Sequence, residues 1–160
     1  MSSALFYITI RRARLEEAGL LSDLVFRAKA AIGYDAEFME AVREDLRVTQ
    51  EDIADREVWV AEGQTVLGCG SLALVSDGTS GEVKTMFIEP NVKRYGIGSL
   101  LLEHLFNRAQ ELGLARLELE AEPTAVGFYE KHGFVVFGDS PSPLIQGRSL
   151  PLMERSLNEG

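Results

Sequence analysis

Val92-Lys93-Arg94-Tyr95-Gly96-Ile97-Gly98-Ser99 is the stretch of this 160-residue chain whose residue types and spacing point most directly to chemistry. Its two glycines stand between an apolar run, Val83 to Ile88, and a helical pattern from Leu100 to Leu112. Glycine lets backbone close on a bound group and reaches φ angles that other residues avoid. The first turn of a helix leaves N–H groups unpaired and carries roughly half a positive charge. With Lys93 and Arg94 alongside, these are the makings of a phosphate or pyrophosphate site. A P-loop is excluded, because Ser99-Leu100 stands where a Lys-Ser/Thr pair would be needed. A dinucleotide fingerprint fits badly: Leu101 holds the third glycine's place, and the glycines come well after the strand. Glu118 does lie about 20 residues beyond the loop, as that fingerprint prefers. A glycine-containing loop ahead of an ordinary helix accounts for the same spacing.

Other reactive side chains are few. Cys69 is the only cysteine, which excludes an internal disulfide and fits a reducing compartment. It lies in an apolar and small-residue run, Val66 to Val75, and reads as buried filler rather than a nucleophile. Neither His104 nor His132 has a second ligand at metal spacing, so no metal is expected. A formal net charge of -9 argues against nucleic acid and against an anionic membrane surface, and is compatible with a cationic amine partner. No apolar run approaches the roughly 18 residues that span a bilayer. Met1 to Tyr7 lacks the basic stretch and long apolar core of a signal peptide. With 46% hydrophobic and 26% charged residues, the expectation is one globular domain over residues 1–160, in the cytoplasm.

The elements that must position the loop follow from periodicity. Phe6 to Arg11 alternates and is rich in β-formers. Glu16 to Ile32 places Ala18, Leu21, Val25 and Ala28 on one helical face, and Gly33 can end that helix. Asp35 can cap a second helix bearing Met39, Val42 and Leu46. Arg47 to Arg56 is polar, a loop or a short turn of helix. Val58 to Glu62 and Thr65 to Val75 read as a hairpin around Gly63-Gln64, and Ser76 to Gly81 as turn. Glu82 to Ile88 is a strand ended by Pro90. A helix from Ser99 carries Leu102, Leu105, Ala109 and Leu112 on a common face, and Gly113 closes it. Then come a strand (Arg116 to Ala121), a helix (Pro123 to His132), a strand (Phe134 to Phe137), a loop (Gly138 to Gly147) and a last strand, Ser149 to Leu157, broken early by Pro151. Trp59 reads as core.

The order strand, Pro90, basic residues, Gly-x-Gly and amphipathic helix resembles the central motif of the GCN5-related N-acetyltransferase (GNAT) family. Pro123-Thr124-Ala125-Val126-Gly127-Phe128-Tyr129-Glu130-Lys131-His132-Gly133-Phe134 resembles that family's next motif. The resemblance is clear over Glu82 to Phe137. It implies a mixed α/β (α+β) GNAT acyl-CoA acyltransferase fold, with a twisted, mostly antiparallel sheet of about six to seven strands, splayed centrally and flanked by helices on both faces. It also implies an N-acetyltransferase using acetyl-CoA as cosubstrate, without metal, to acetylate a primary amine in a ternary complex. A small-molecule acceptor is expected; a protein or peptide amine, and a non-catalytic acyl-CoA sensor, stay open as alternatives. The family's frequent dimers leave a homodimer open too.

Residue by residue, the resemblance assigns CoA to Met86, Phe87 and Ile88, with the Met86 N–H toward the thioester oxygen and Ile88 toward pantetheine. It assigns the pyrophosphate to Lys93, Arg94, Tyr95, Gly96, Ile97, Gly98 and Ser99. Tyr129 matches the tyrosine that protonates the leaving thiolate, and Glu82 stands where some relatives place a general base. Lys93 replaces the family's usual Arg or Gln and keeps the charge without the planar fork. The Asn that commonly contacts pantetheine is missing near Glu122; Glu120 and Glu122 read as solvent-facing charge, with a place facing the amine as the alternative. Tyr34, Asp35 and Phe38 fall in the turn that lines the acceptor side in this fold, where a ring face and a charge suit a cationic amine.

Overall fold

The structure, a computed structural model, describes residues 7–75, 77–141 and 147–157. Strand β1 (Thr9–Arg12) leads through a 3-10 turn, Leu15–Glu17, into helix α1 (Ala18–Ala30). The sequence-predicted first strand began at Phe6, which lies outside the described residues. Helix α2 (Ala36–Val42) is capped by Asp35, whose carboxylate accepts the Phe38 N–H. The polar stretch after it contains a six-residue helix, α3 (Gln50–Asp55), opened by a capping box between Thr49 and Asp52. Strands β2 (Glu57–Glu62), β3 (Val66–Leu74) and β4 (Ser80–Ile88) follow, β4 starting two residues inside the expected turn. A 3-10 segment, Pro90–Tyr95, precedes α4 (Ile97–Glu111). The chain closes with β5 (Arg116–Glu120), α5 (Val126–Lys131), β6 (Val135–Pro141) and β7 (Ser149–Ser156).

The strands form one seven-stranded open sheet in the order β1-β2-β3-β4-β5-β7-β6, the mixed α/β architecture expected. β1 with β2, β5 with β7, and β6 with β7 are antiparallel; β4 and β5 are parallel. Two stretches differ from expectation. β6 runs on to Pro141, and a bulge between Val136 and Gly138 makes Phe137 the extra residue. Pro151 does not break β7: it lies opposite Asp139, and its carbonyl accepts the Ala121 N–H at 2.8 Å.

The chain divides into two compact units. The first holds the residues up to Ser71 together with Thr85–His104. Its strands alternate, sending side chains to opposite faces. Val58, Val60 and Cys69 pack with Leu21, Leu24 and Val25 of α1 and Ile53 of α3, and Phe87 joins them. Ala61, Trp59, Met86 and Ile88 pack on the other side with Val92, Ile97 and Leu101. Helices therefore cover both faces here, and each fully buried Leu or Val stabilises by about 1.5–3 kcal/mol. Arg11 pins the sheet's edge strand, its guanidinium forking to Glu17 (3.0 and 2.8 Å) and reaching Glu62 (2.9 Å).

The second unit holds Leu72–Lys84 together with the residues from Leu105 on. Leu105, Leu117, Phe134 and Met153 are fully buried in it. The Arg155 guanidinium lies 3.4 Å from the Phe106 ring centroid. A Cβ on Gly81 would come within 2.8 to 3.1 Å of the Leu72, Leu114 and Leu117 side chains, so only glycine fits without displacement. Leu112, expected on the buried face of α4, is 41% exposed because the helix ends at Glu111.

Candidate functional site

β4 changes character along its length. Its ladder with β5 pairs Ser80 with Arg116, Gly81 with Leu117 and Glu82 with Glu118, and stops there. Past that point Val83 to Ile88 continue without a β5 residue in register. At the far end the Glu89 N–H donates to Leu67 O at 2.8 Å, so residue 89 faces β3. Alternation along an extended strand then aims the N–H groups of Ile88 and Met86 off the opposite edge, where β5 no longer runs in register. Their side chains, with Phe87 on the other face, are held in the first unit's core. Met86, Phe87 and Ile88, singled out from the sequence as cofactor residues, thus lie on this end of β4 with their side chains packed.

The loop follows directly. Gly96 has φ 79° and ψ 10°, the left-handed region, and joins the 3-10 segment to α4. It is exposed, and a Cβ there would meet nothing within 4 Å. The first α-helical bond runs from the Leu100 N–H to Gly96 O at 3.2 Å, leaving the Ile97 and Gly98 amides in the turn ahead of it. Lys93 and Arg94 are exposed and meet no carboxylate among the described residues, and Tyr95 is exposed beside them. Val92 and Ile97 are buried and anchor the loop to the first unit. Open space over a left-handed glycine, first-turn amides and two uncommitted cations fit a diphosphate.

In the second unit Tyr129 lies on α5, 7% exposed, its ring 5.2 Å from Phe128 and 5.8 Å from Phe134. Burial pushes its hydroxyl up to about 12. The phenol therefore stays protonated across the neutral range. Glu82 is half-buried, with Lys84 Nζ 3.6 Å from its Oε1. It stands in a row with Glu118 and Glu154, one carboxylate on each of β4, β5 and β7. Arg116 relieves the repulsion, with Nε 2.7 Å from Glu118 and 3.7 Å from Glu154. Sequence reasoning singled out Glu82 but did not set Glu118 and Glu154 beside it, because register between distant strands leaves no local mark. It also set Glu122 in solvent; the carboxylate is largely buried and pairs with Arg148 at 3.3 Å.

In the segment between α1 and α2, Tyr34 stacks on Phe38, with centroids 4.3 Å apart, and Lys29 Nζ lies 5.0 Å from the Tyr34 centroid. Asp35 Oδ1 takes the Phe38 N–H at 2.8 Å. All three side chains thus have partners within their own unit. An open groove of about 900 Å³ runs along α1, past Gly19, Ser22 and Phe26 to Arg43 and Arg47, and no residue singled out from sequence lines it. Cys69 is fully buried, and burial, with the Glu89 charge nearby, pushes its thiol up to about 12. No metal-holding group of His, Cys, Asp and Glu, and no helix long and apolar enough to cross a membrane, occurs among the described residues.

The profile of the acetyltransferase (GNAT) domain family matches residues 54–136. IAA acetyltransferase of Azospirillum brasilense is 38% identical over 95 residues, 55% of this chain and 62% of that protein, under two thirds of its length. Peptidyl-lysine N-acetyltransferase YjaB of Salmonella typhimurium is 32% identical over 147 residues, 91% of this chain and 95% of its own. The crystal structure of PaiA N-acetyltransferase from Thermoplasma acidophilum in complex with coenzyme A has the same fold. It matches with a TM-score of 0.77 at 20% identity, over 94% of this chain and 99% of that one.

Proposed function

The chain belongs to the GCN5-related N-acetyltransferase (GNAT) family, and from that membership we propose that it transfers the acetyl group of acetyl-CoA to a primary amine, by direct attack in a ternary complex. The observation that carries the reading is the end of β4: main-chain donors without a β5 partner are followed, after the 3-10 segment Pro90–Tyr95, by a left-handed glycine and the start of α4. When bound, acetyl-CoA supplies an acetyl thioester open to attack by an amine nitrogen. The first-turn amides from Gly96 to Ser99, with Lys93 and Arg94, hold the diphosphate. The Met86 N–H hydrogen-bonds the thioester oxygen, and Ile88 pairs with the pantetheine arm as an added strand would. A fixed donor of this kind is worth about 3 kcal/mol of barrier in well-studied cases.

Glu82 accepts the amine proton, directly or through water. Tyr129 offers its hydroxyl proton to the departing sulfur as a hydrogen bond. Complete transfer from a phenol near 12 to a thiolate with pKa about 8.5 would run about 5 kcal/mol uphill. Cys69 supports direct attack from the other direction: the only thiol in the chain is buried and protonated, and offers no nucleophile for an acetyl-enzyme. The acceptor is read as a small-molecule amine. A homodimer is proposed alongside, supported by the exposed, uncharged run Val135-Val136-Phe137 on the terminal strand β6; a monomeric mass in sedimentation would refute it.

The test is thiol release from acetyl-CoA with a panel of small amines and lysine peptides, alongside calorimetric titration with CoA. Release with at least one small amine is expected. Binding of CoA with no release for any amine would recast the protein as a sensor, and release with peptides alone would move the acceptor to protein lysines. Absence of CoA binding would overturn the proposal.

A further inference from the structure

Glu89 is the residue at which β4 gives way to the loop, and its ties run in three directions. Its N–H donates to Leu67 O at 2.8 Å, and its carbonyl accepts the Val92 N–H at 3.1 Å, opening the 3-10 segment. Its carboxylate is gripped by Arg27 of α1 as a fork, Nε to Oε1 at 3.2 Å and Nη2 to Oε2 at 2.5 Å. The next residue, Pro90, has no N–H and cannot anchor the turn through its own amide. Proline also holds the residue before it extended, and Glu89 complies with ψ 131°. Beside the buried anchors Val92 and Ile97, the direction in which Pro90–Tyr95 and Gly96 leave the strand is therefore set at Glu89, whose side chain reaches α1.

We propose that Arg27 is a positioning residue for the cofactor loop, holding Glu89 so that the left-handed glycine and the start of α4 meet the diphosphate in register with the free edge of β4. The proposal rests on the reading of that loop as the diphosphate cradle. Arg27 sits in the last turn of α1, where the helix dipole favours a cation, and Asp23 one turn back adds to the field that keeps it charged. From there α1 leads into Gly33-Tyr34-Asp35, the acceptor-side turn, so the same fork links the segment assigned to the amine with the loop assigned to CoA. An ion pair with one side chain 53% exposed adds little to stability. Its value lies in angle, since binding groups displaced by a fraction of an ångström lose much of their effect.

The experiment compares Arg27→Gln, Glu89→Gln, the double variant and Arg27→Lys with the parent, measuring the CoA dissociation constant, KM for acetyl-CoA, kcat and Tm. Each single variant is expected to raise Kd and KM about fivefold while kcat moves less than about twofold, the signature of lost uniform binding. Tm should fall by about 2 °C or less. The double variant should be no worse than either single one, because both remove the same contact. Lysine should recover part of the loss, keeping the charge without the fork. Kd within about twofold of the parent for both single variants overturns the proposal, as does a loss confined to Tm, which marks a structural tie only. A Lys93→Ala/Arg94→Ala variant separates the two levels. If it binds CoA as the parent does, the loop assignment fails and the role of Arg27 falls with it. If it loses CoA while Arg27→Gln does not, the role of Arg27 alone fails.

Discussion

At Ser80–Glu82, β4 has β5 beside it in register, Ser80 is fully buried, and Gly81 is hemmed in by three leucines. From Thr85 to Ile88 the same strand has half-buried side chains and no β5 partner, and it ends in an exposed loop. In the first stretch the main chain is laddered to β5 and Gly81 is enclosed, while the Glu82 carboxylate stays half-buried and the Ser80 hydroxyl has no hydrogen-bond partner among the described residues. In the second the side chains are committed and the main chain on one edge is not. A strand can thus supply function by what it leaves unpaired. The Glu82 carboxylate apart, substitutions at the two ends should accordingly be read by different assays: stability at the first, ligand affinity at the second.

Gly96→Val presses hardest on this contrast. A β-branched residue at φ 79° costs about 1–2 kcal/mol in backbone strain, and its side chain fills the open space over the first-turn amides. Affinity for CoA should drop by a factor on the order of 30, with a much smaller change in Tm; unchanged affinity in calorimetry would remove the loop from the site. Tyr129→Phe should lower kcat about tenfold and leave CoA affinity intact, locating that chemistry in a side chain rather than in main chain. The same variant carries a pH signature. Burial lifts this phenol from 10.0 to about 12, so between those values the folded chain keeps a proton that the unfolded chain releases. Stability should fall as pH rises through that window, and Tyr129→Phe should flatten the fall in melting curves. Glu82→Gln should cost kcat up to about tenfold without affecting CoA affinity; parent-like turnover would hand proton removal to another group.

The sharpest comparison, though with the smallest effects, is between two alanines. Gly81→Ala crowds three leucine side-chain ends, and should cost about 1–2 kcal/mol in a urea melt while the folded protein binds CoA normally. At Gly68 a Cβ would lie 2.5 Å from the Ile88 side chain and 3.1 Å from the Phe87 carbonyl, so Gly68→Ala pushes on the free half of β4. It should weaken CoA about threefold as well as lowering stability. The contrast between the ends of β4 collapses if Gly81→Ala proves the stronger of the two on binding.

What the sequence made legible was local. Gly96 before a helical run, Pro90 after a strand, Asp35 as an N-cap and the Leu102-Leu105-Ala109 face all follow from neighbours within a turn or two. The polar run Arg47 to Arg56 reads as a loop or a short turn of helix, and the helix there rests on the Thr49–Asp52 capping box and on burying Ile53. What escaped was long range. Glu82, Glu118 and Glu154 share a row only because three separated strands pair in one register. Arg27 and Glu89 are 62 positions apart and meet only after α1 packs. β6 was read short because Gly138 and Pro141 looked like loop, whereas pairing with β7 carries the strand through a bulge. The two motifs showed the kind of chemistry, and their surroundings came only with the tertiary structure.

Cys69 has a practical corollary. With its sulfur sealed inside the first unit, the native protein should stay silent toward Ellman-type reagents, so any colour in a CoA-release assay belongs to product. Conversely, a maleimide left with the protein can label it only when that unit opens, and the speed of labelling then clocks how often the native state breathes.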